Sequence, residues 1–188
     1  TIRYAAEHRL GLGVSFLPVE QVQTITDKYR GWCEEAGWTP GPDNIVYRGS
    51  IYVAETDERA REEAADHVLW LYHRGLRIPL NMLFPPGYVT HESMKHILGM
   101  ADDLDYAKMS FDDLNDRGYC VVGGVETVKQ RLAASIKELG YGILLSLLQI
   151  GDMPHYRTVK NMELFATEVM PYLRKEFQGM QEKWAQAA

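Results

Sequence analysis

Cysteine is scarce: Cys33 and Cys120 are the only two in 188 residues. Two isolated cysteines give neither metal-ligand spacing nor a disulfide framework. Cys33 falls in a helical pattern and Cys120 beside an apolar run, so both are expected to be buried thiols, as free cysteines often are. This usage fits a reducing cytoplasm. Long apolar runs are also missing. None approaches the ~18 residues a membrane span needs, and no signal peptide is visible. Positive charge is in deficit, with 20 basic against 26 acidic residues and a net charge of −6. A nucleic-acid binder would carry a basic face, so that class is not expected. The acid excess sits in two clusters, Glu55–Asp66 and Asp102–Asp116, both read as solvated surface.

What is present is a globular composition, with 46% hydrophobic residues, enough for one domain with a sizeable core. The chain opens on Thr1-Ile2-Arg3-Tyr4-Ala5-Ala6, which reads as mid-helix, so a truncated start is expected. Apolar runs at 12–17, 44–54 and 143–149 read as buried strands. Between them lie amphipathic patterns. Val19, Val22, Ile25, Tyr29, Trp32 and Cys33 recur at helical spacing up to Gly37 and Pro40-Gly41-Pro42. Thr56 or Asp57 caps a helix carrying Ala60, Ala64, Val68 and Leu71. A helix follows Gly123-Gly124, running through Val128, Leu132 and Ile136 to Gly140. A last one spans roughly Tyr156–Phe177, with Pro171 expected to kink it. Residues 77–117 break this rhythm with prolines, a Pro85-Pro86-Gly87-Tyr88 turn and many acids, apart from a possible short helix near Ser93–Met100. That is far longer than the usual α/β connection.

Apolar strands alternating with amphipathic helices imply a parallel sheet, here with each strand followed by a helix on one side. About three strands is too few for a doubly wound sheet, and a barrel of this kind needs eight. The expected fold is therefore an α/β portion of something larger.

Three short patterns carry little chemistry. His91-Glu92-Ser93-Met94-Lys95-His96 places its histidines about 140° apart on a helix, unlike a zinc-binding pair on one face. Gly11-Leu12-Gly13 precedes a strand and lacks the third glycine of a dinucleotide fingerprint. Gly123-Gly124-Val125-Glu126 opens a helix whose free amides could hold a phosphate, although Glu126 suits a plain helix start. No catalytic constellation and no metal site can be read from spacing.

Four stretches together resemble the bacterial luciferase-like monooxygenase superfamily. They are Thr1-Ile2-Arg3-Tyr4-Ala5-Ala6; Tyr47-Arg48-Gly49-Ser50-Ile51-Tyr52-Val53-Ala54-Glu55-Thr56-Asp57-Glu58-Arg59-Ala60; Val122-Gly123-Gly124-Val125-Glu126-Thr127-Val128, where Val125 replaces the usual proline; and Glu163-Leu164-Phe165-Ala166-Thr167-Glu168-Val169-Met170-Pro171-Tyr172-Leu173-Arg174. The resemblance implies the C-terminal part of a single (β/α)₈ barrel domain, 1–188, holding strands six to eight, with 77–117 as an insertion or lid. It implies reduced FMN as co-substrate, supplied by a flavin reductase, with a deazaflavin as the alternative. The activity implied is O₂-dependent oxygenation of a small organic substrate, and the intact enzyme would be a homo-oligomer. It implies cofactor contacts at Thr1, Ser15 and Phe16, and a substrate mouth at His155 and Tyr156. Strand ends at Glu55-Thr56 and Gln149–His155 lie on the same side. The catalytic residues of relatives lie on earlier strands, so none is assigned here. The rival reading is a non-catalytic half-barrel or flavin-binding subunit that completes a site on a partner chain.

Overall fold

In the computed structural model, residues 1–77, 82, 87, 89–99 and 105–187 are described. Helix α1 (Ile2–Glu7) leads into strand β1 (Leu12–Ser15) and helix α2 (Val19–Glu35). Strand β2 (Ile45–Ala54) is followed by α3 (Asp57–Trp70), which runs on into a π-helical turn at Leu71–Gly75. Two short helices, α4 (His91–Gly99) and α5 (Phe111–Asp116), precede β3 (Cys120–Gly124). Then come α6 (Val125–Leu139), β4 (Ile143–Leu147), α7 (His155–Leu164), a π-turn at Phe165–Val169 and α8 (Met170–Ala187).

The four strands form one parallel, open sheet. The ten-residue β2 is the partner of all the others. Its first residues pair with β1 (Leu12 with Ile45 through Ser15 with Arg48), its middle with β4 (Val46 with Ile143 through Ser50 with Leu147), and its last residues with β3 (Ser50 with Cys120 through Ala54 with Gly124). Val46, Tyr47 and Arg48 pair with β1 and β4 at once, so those two strands lie on opposite edges of β2.

The expected strands at 12–17, 44–54 and 143–149 are therefore present and parallel. Two corrections follow. Cys120–Gly124, read as a lead into a helix, is a fourth strand. And helices pack on both faces of the sheet where β2 meets β3, while the β4 part of the second face stays exposed. Successive side chains of a strand point to opposite faces. Ile51, Val53 and Val121 pack with Val128, Leu132, Ile136, Val169 and Leu173 of the α6 and α8 side. Their neighbours Tyr52, Ala54, Cys120 and Val122 pack with Ala60, Ala64, Val68, Tyr72 and Leu114 on the α3 and α5 side. Burying large apolar side chains in both layers contributes about 1.5–3 kcal/mol each relative to exposure.

The kink expected at Pro171 takes the form of the π-turn just before it. Proline has no N–H to donate to the preceding turn, and a wider turn absorbs the break in the ladder. Asn161 repairs another gap. It is fully buried, and its Nδ2 donates to the Ile51 and Leu148 carbonyls (2.8 and 2.9 Å). Its Oδ1 accepts from the Val53 amide at 2.8 Å. One side chain of α7 thus serves the β2 edge beyond the point where β4 stops.

Of the expected 77–117 insertion, Pro79, Leu83, Phe84, Pro85, Pro86, Tyr88, Asp102 and Asp103 lie outside the described residues. So does the side chain of His96. No helix among the described residues is long and apolar enough to cross a membrane.

Candidate functional site

Strand β1 ends abruptly. Ser15 still pairs with Arg48, but Phe16 turns into the left-handed region at φ 59°. A bulky residue rarely adopts that conformation, which costs on the order of 1–3 kcal/mol and persists only where its surroundings enforce it. Two contacts do so. The hydroxyl of Tyr106 donates to the Phe16 carbonyl at 3.0 Å. The guanidinium of Arg48 lies over the Phe16 ring, 3.7 Å from its centroid. The strand thus ends early at Ser15, and the ring is directed across the α3-side face of β2.

That face carries polar groups at alternate positions. Arg48 and Ser50 are two residues apart on β2, and Ser15 is level with Arg48 on β1. Arg48 is partly buried. Desolvation lowers its pKa, partly offset by Tyr72 and Tyr47 nearby. Ser50 is 1% exposed. Its hydroxyl lies beside that of Tyr72 but forms no bond of hydrogen-bond geometry among the described residues. Tyr72, Tyr106 and Tyr119 meet edge to face, with ring centroids 5.3, 5.8 and 6.0 Å apart, and close the far side. Tyr72 in turn donates to the Tyr119 carbonyl at 2.7 Å. Burial pushes its phenol well above the usual tyrosine range, so it stays a neutral donor.

The loop after β4 is braced rather than open. Gln149 donates to the carbonyls of Gly151 and Met153 (3.2 and 3.3 Å) and accepts from Thr158. His67 Nδ1 lies 2.7 Å from Asp152, and Arg157 is 3.3 Å from His67 Nε2. Arginine can only donate. Nε2 is therefore the acceptor, and Nδ1–H donates to Asp152. Gly151 (φ 55°) packs so closely on this corner that a Cβ would fall 2.3 Å from the His67 carbonyl oxygen. Only glycine fits there. His155 and Tyr156 stand beyond this brace at the start of α7, exposed, Tyr156 by 67%. Thr1 is the exposed N-cap residue of α1. No hydrogen bond, ion pair or ring contact among the described residues joins Thr1, His155 or Tyr156 to Ser15 or Phe16.

The helix start at Gly123-Gly124 is already served. Asp57 accepts from the Gly124 amide (2.6 Å) and from the Thr127 hydroxyl (2.9 Å). A Cβ on Gly123 would approach Asp57 to 2.9 Å. The glycines answer this close packing, and a carboxylate of the chain occupies the place a phosphate would need. A cleft of about 510 Å³ adjoins it, lined by Asp57, Arg61, Asn115 and Arg131 among others. Several of its polar groups are engaged within the chain. Asn115 bonds the Val122 amide and Arg131, and Arg61 pairs with Asp112. At the Phe16–Arg48 face, by contrast, Ser50 has hydrogen-bonding capacity to spare among the described residues. Arg48 and Ser50 were not singled out from the sequence. The signal was there as two polar residues at period two inside an apolar strand.

The model of the luciferase-like monooxygenase family matches residues 1–142. No curated protein matches the chain in sequence. Among solved structures, a monooxygenase from Streptomyces bottropensis is similar over 92% of this chain and 44% of its own, with 22% identity and a TM-score of 0.61. The oxygenating constituent of the 3,6-diketocamphane monooxygenase of Pseudomonas putida, in complex with FMN, matches over 91% and 45%, with 20% identity and a TM-score of 0.60. The coenzyme F420-dependent tetrahydromethanopterin reductase of Methanopyrus kandleri matches over 91% and 47%, with 19% identity and a TM-score of 0.52. The chain spans less than half the length of these structures, and its open sheet corresponds to the C-terminal part of their barrel.

Proposed function

Because the chain belongs to the luciferase-like monooxygenases, we propose that it supplies the C-terminal wall of a barrel in which reduced flavin and O₂ oxygenate a small organic substrate. The observation that carries this is the end of β1, where Ser15, the left-handed Phe16 and Arg48 gather on one face. The residues fit a flavin. Phe16 offers an apolar ring, while Ser15 and Ser50 offer hydroxyls. When bound, the flavin supplies the redox chemistry. The chain's own contribution is positioning and the exclusion of water by the Tyr72, Tyr106 and Tyr119 cluster. FMN is the favoured form and a deazaflavin the alternative. Thr1 at the cofactor and His155 and Tyr156 at the substrate mouth belong to the same proposal. A flavin reductase and a homo-oligomeric assembly belong to the same proposal, as does a cytoplasmic setting.

A second reading has its own support. On the exposed side of β4, Ile143 and Leu145 are 39% and 54% accessible, an apolar surface suited to being covered by another wall. On that reading the chain is a half-barrel subunit that completes a site on a partner.

Titration with oxidised and reduced FMN, followed by flavin fluorescence and calorimetry, tests both. The chain alone is expected to bind weakly, to lose that binding in Phe16→Ala, and to turn over no substrate. Absence of binding even at millimolar FMN overturns the flavin reading. Tight one-to-one binding with turnover by a monomer overturns the partial-site reading.

A further inference from the structure

We propose that Arg48 receives the oxyanion of an organic ligand whose apolar body lies along β4, with the Ser15 and Ser50 hydroxyls beside it. Six arginines, Arg3, Arg30, Arg59, Arg61, Arg131 and Arg157, pair with carboxylates, carbonyls or ring nitrogens. Arg48 makes no hydrogen bond or ion pair among the described residues. Its guanidinium instead lies over the Phe16 ring, 3.7 Å from the centroid. A stack uses the flat face of the guanidinium and leaves its N–H edges unspent, and those edges match a planar or tetrahedral oxyanion.

The neighbours on this face fit the same ligand. Paired residues of parallel strands point to the same side, so Arg48 shares its face with Ser15 and Leu145, and Ser50 with Leu147. Val46 and its partner Ile143 extend it. None of these is acidic. One unspent cation, a buried hydroxyl with no bond of hydrogen-bond geometry among the described residues, a second hydroxyl and an apolar floor together describe a receptor for an organic acid. A neutral substrate would leave the guanidinium unused.

This inference deepens the proposed function by giving the substrate a charge, but the binding it asserts needs no flavin. The full chain and its Arg48→Met and Arg48→Lys variants are titrated by calorimetry with octanoate, octanol, FMN and riboflavin. The unmodified chain is expected to prefer octanoate to octanol. A charge-assisted bond contributes about 1.5–3 kcal/mol, so that preference should fall roughly ten- to hundredfold in Arg48→Met and return largely in Arg48→Lys. If the preference for FMN over riboflavin falls instead, the oxyanion received is the flavin phosphate. Equal binding of acid and alcohol together with equal binding of FMN and riboflavin by the unmodified chain, or preferences unchanged in Arg48→Met, overturns the proposal. Should Arg48→Met fail to fold, competition on the unmodified chain decides: inorganic sulfate must displace octanoate, and failure to do so overturns it. A chain that takes octanoate and refuses FMN overturns the flavin reading alone.

Discussion

The Tyr106 hydroxyl donates to the main-chain carbonyl of Phe16 at 3.0 Å, across ninety positions of sequence. It ties the returning limb of the long 77–117 segment to the residue that ends β1. His73 strengthens the tie, its Nε2 lying 2.9 Å from the Met109 carbonyl oxygen. Tyr106→Phe keeps the ring contacts and removes one bond, at a net cost of about 0.5–1.5 kcal/mol. Hydrogen exchange at residues 105–119 should speed up several-fold while the core of α6 is unchanged. Unchanged exchange in both regions would show that the tie does not hold the limb. The resemblance makes this segment a lid, so flavin plus substrate should slow exchange at residues 105–117 in the unmodified chain.

Asn161 answers three backbone groups of two strands with one amide. Asn161→Leu keeps the volume and leaves the Ile51 and Leu148 carbonyls and the Val53 amide unserved. A buried group stranded in this way costs roughly 1–3 kcal/mol. Urea unfolding should show a loss of at least about 3 kcal/mol, more than most point substitutions cause. A loss below about 1 kcal/mol would mean that water or a shift of α7 replaces the amide.

Glu63 is buried, accepts a 2.7 Å bond from the Tyr52 hydroxyl, and is flanked by Arg59 and Lys160 at 2.6 and 3.5 Å. Burial opposes its ionisation. Tyr52, Lys160 and Arg59 outweigh that and hold its carboxyl below its ordinary value of 4.5. A group depressed in the folded state adds stability that is complete above the ordinary value and lost as pH falls through the lower folded one. Urea midpoints should therefore decline as pH drops below 4.5, and Glu63→Gln should be less stable at neutral pH yet flatter across that window. Parallel pH profiles for the two proteins would contradict this.

Much of this fold could be read from the sequence because its strands are apolar runs and some of its helix ends carry recognisable caps. The Thr56 side chain accepts from the Arg59 amide as an N-cap should, and Gly140 ends α6 at φ 63°. Strand β3 escaped because two of its five residues are glycines, which weaken any strand signal. What requires them is Asp57 and Thr56, far off in sequence but in contact with β3. The two-sided placement of helices was hidden for a similar reason. Amphipathic spacing shows that a helix buries a face, not which side of the sheet receives it. At the site, Ser15 and Phe16 came from the family resemblance, which places cofactor contacts at the end of that strand. The partner that stacks on Phe16 depends on the register of β1 against β2, which no local pattern encodes.

That register has a further consequence, in time rather than in space. Among the described residues, each of β1, β3 and β4 pairs with β2, so none of these pairs can form before residues 45–54 are made. A chain emerging from the ribosome can zip β1 to β2 early. It must then hold the opposite edge of β2 open through the whole of residues 55–142, until Ile143 arrives to meet Val46. Contacts so distant in sequence form slowly, because loop closure precedes any gain from them. During that wait the open edge can recruit a strand from another chain. Crowded synthesis should penalise this topology more than dilute refolding does, and the penalty should fall on the last strand rather than the first.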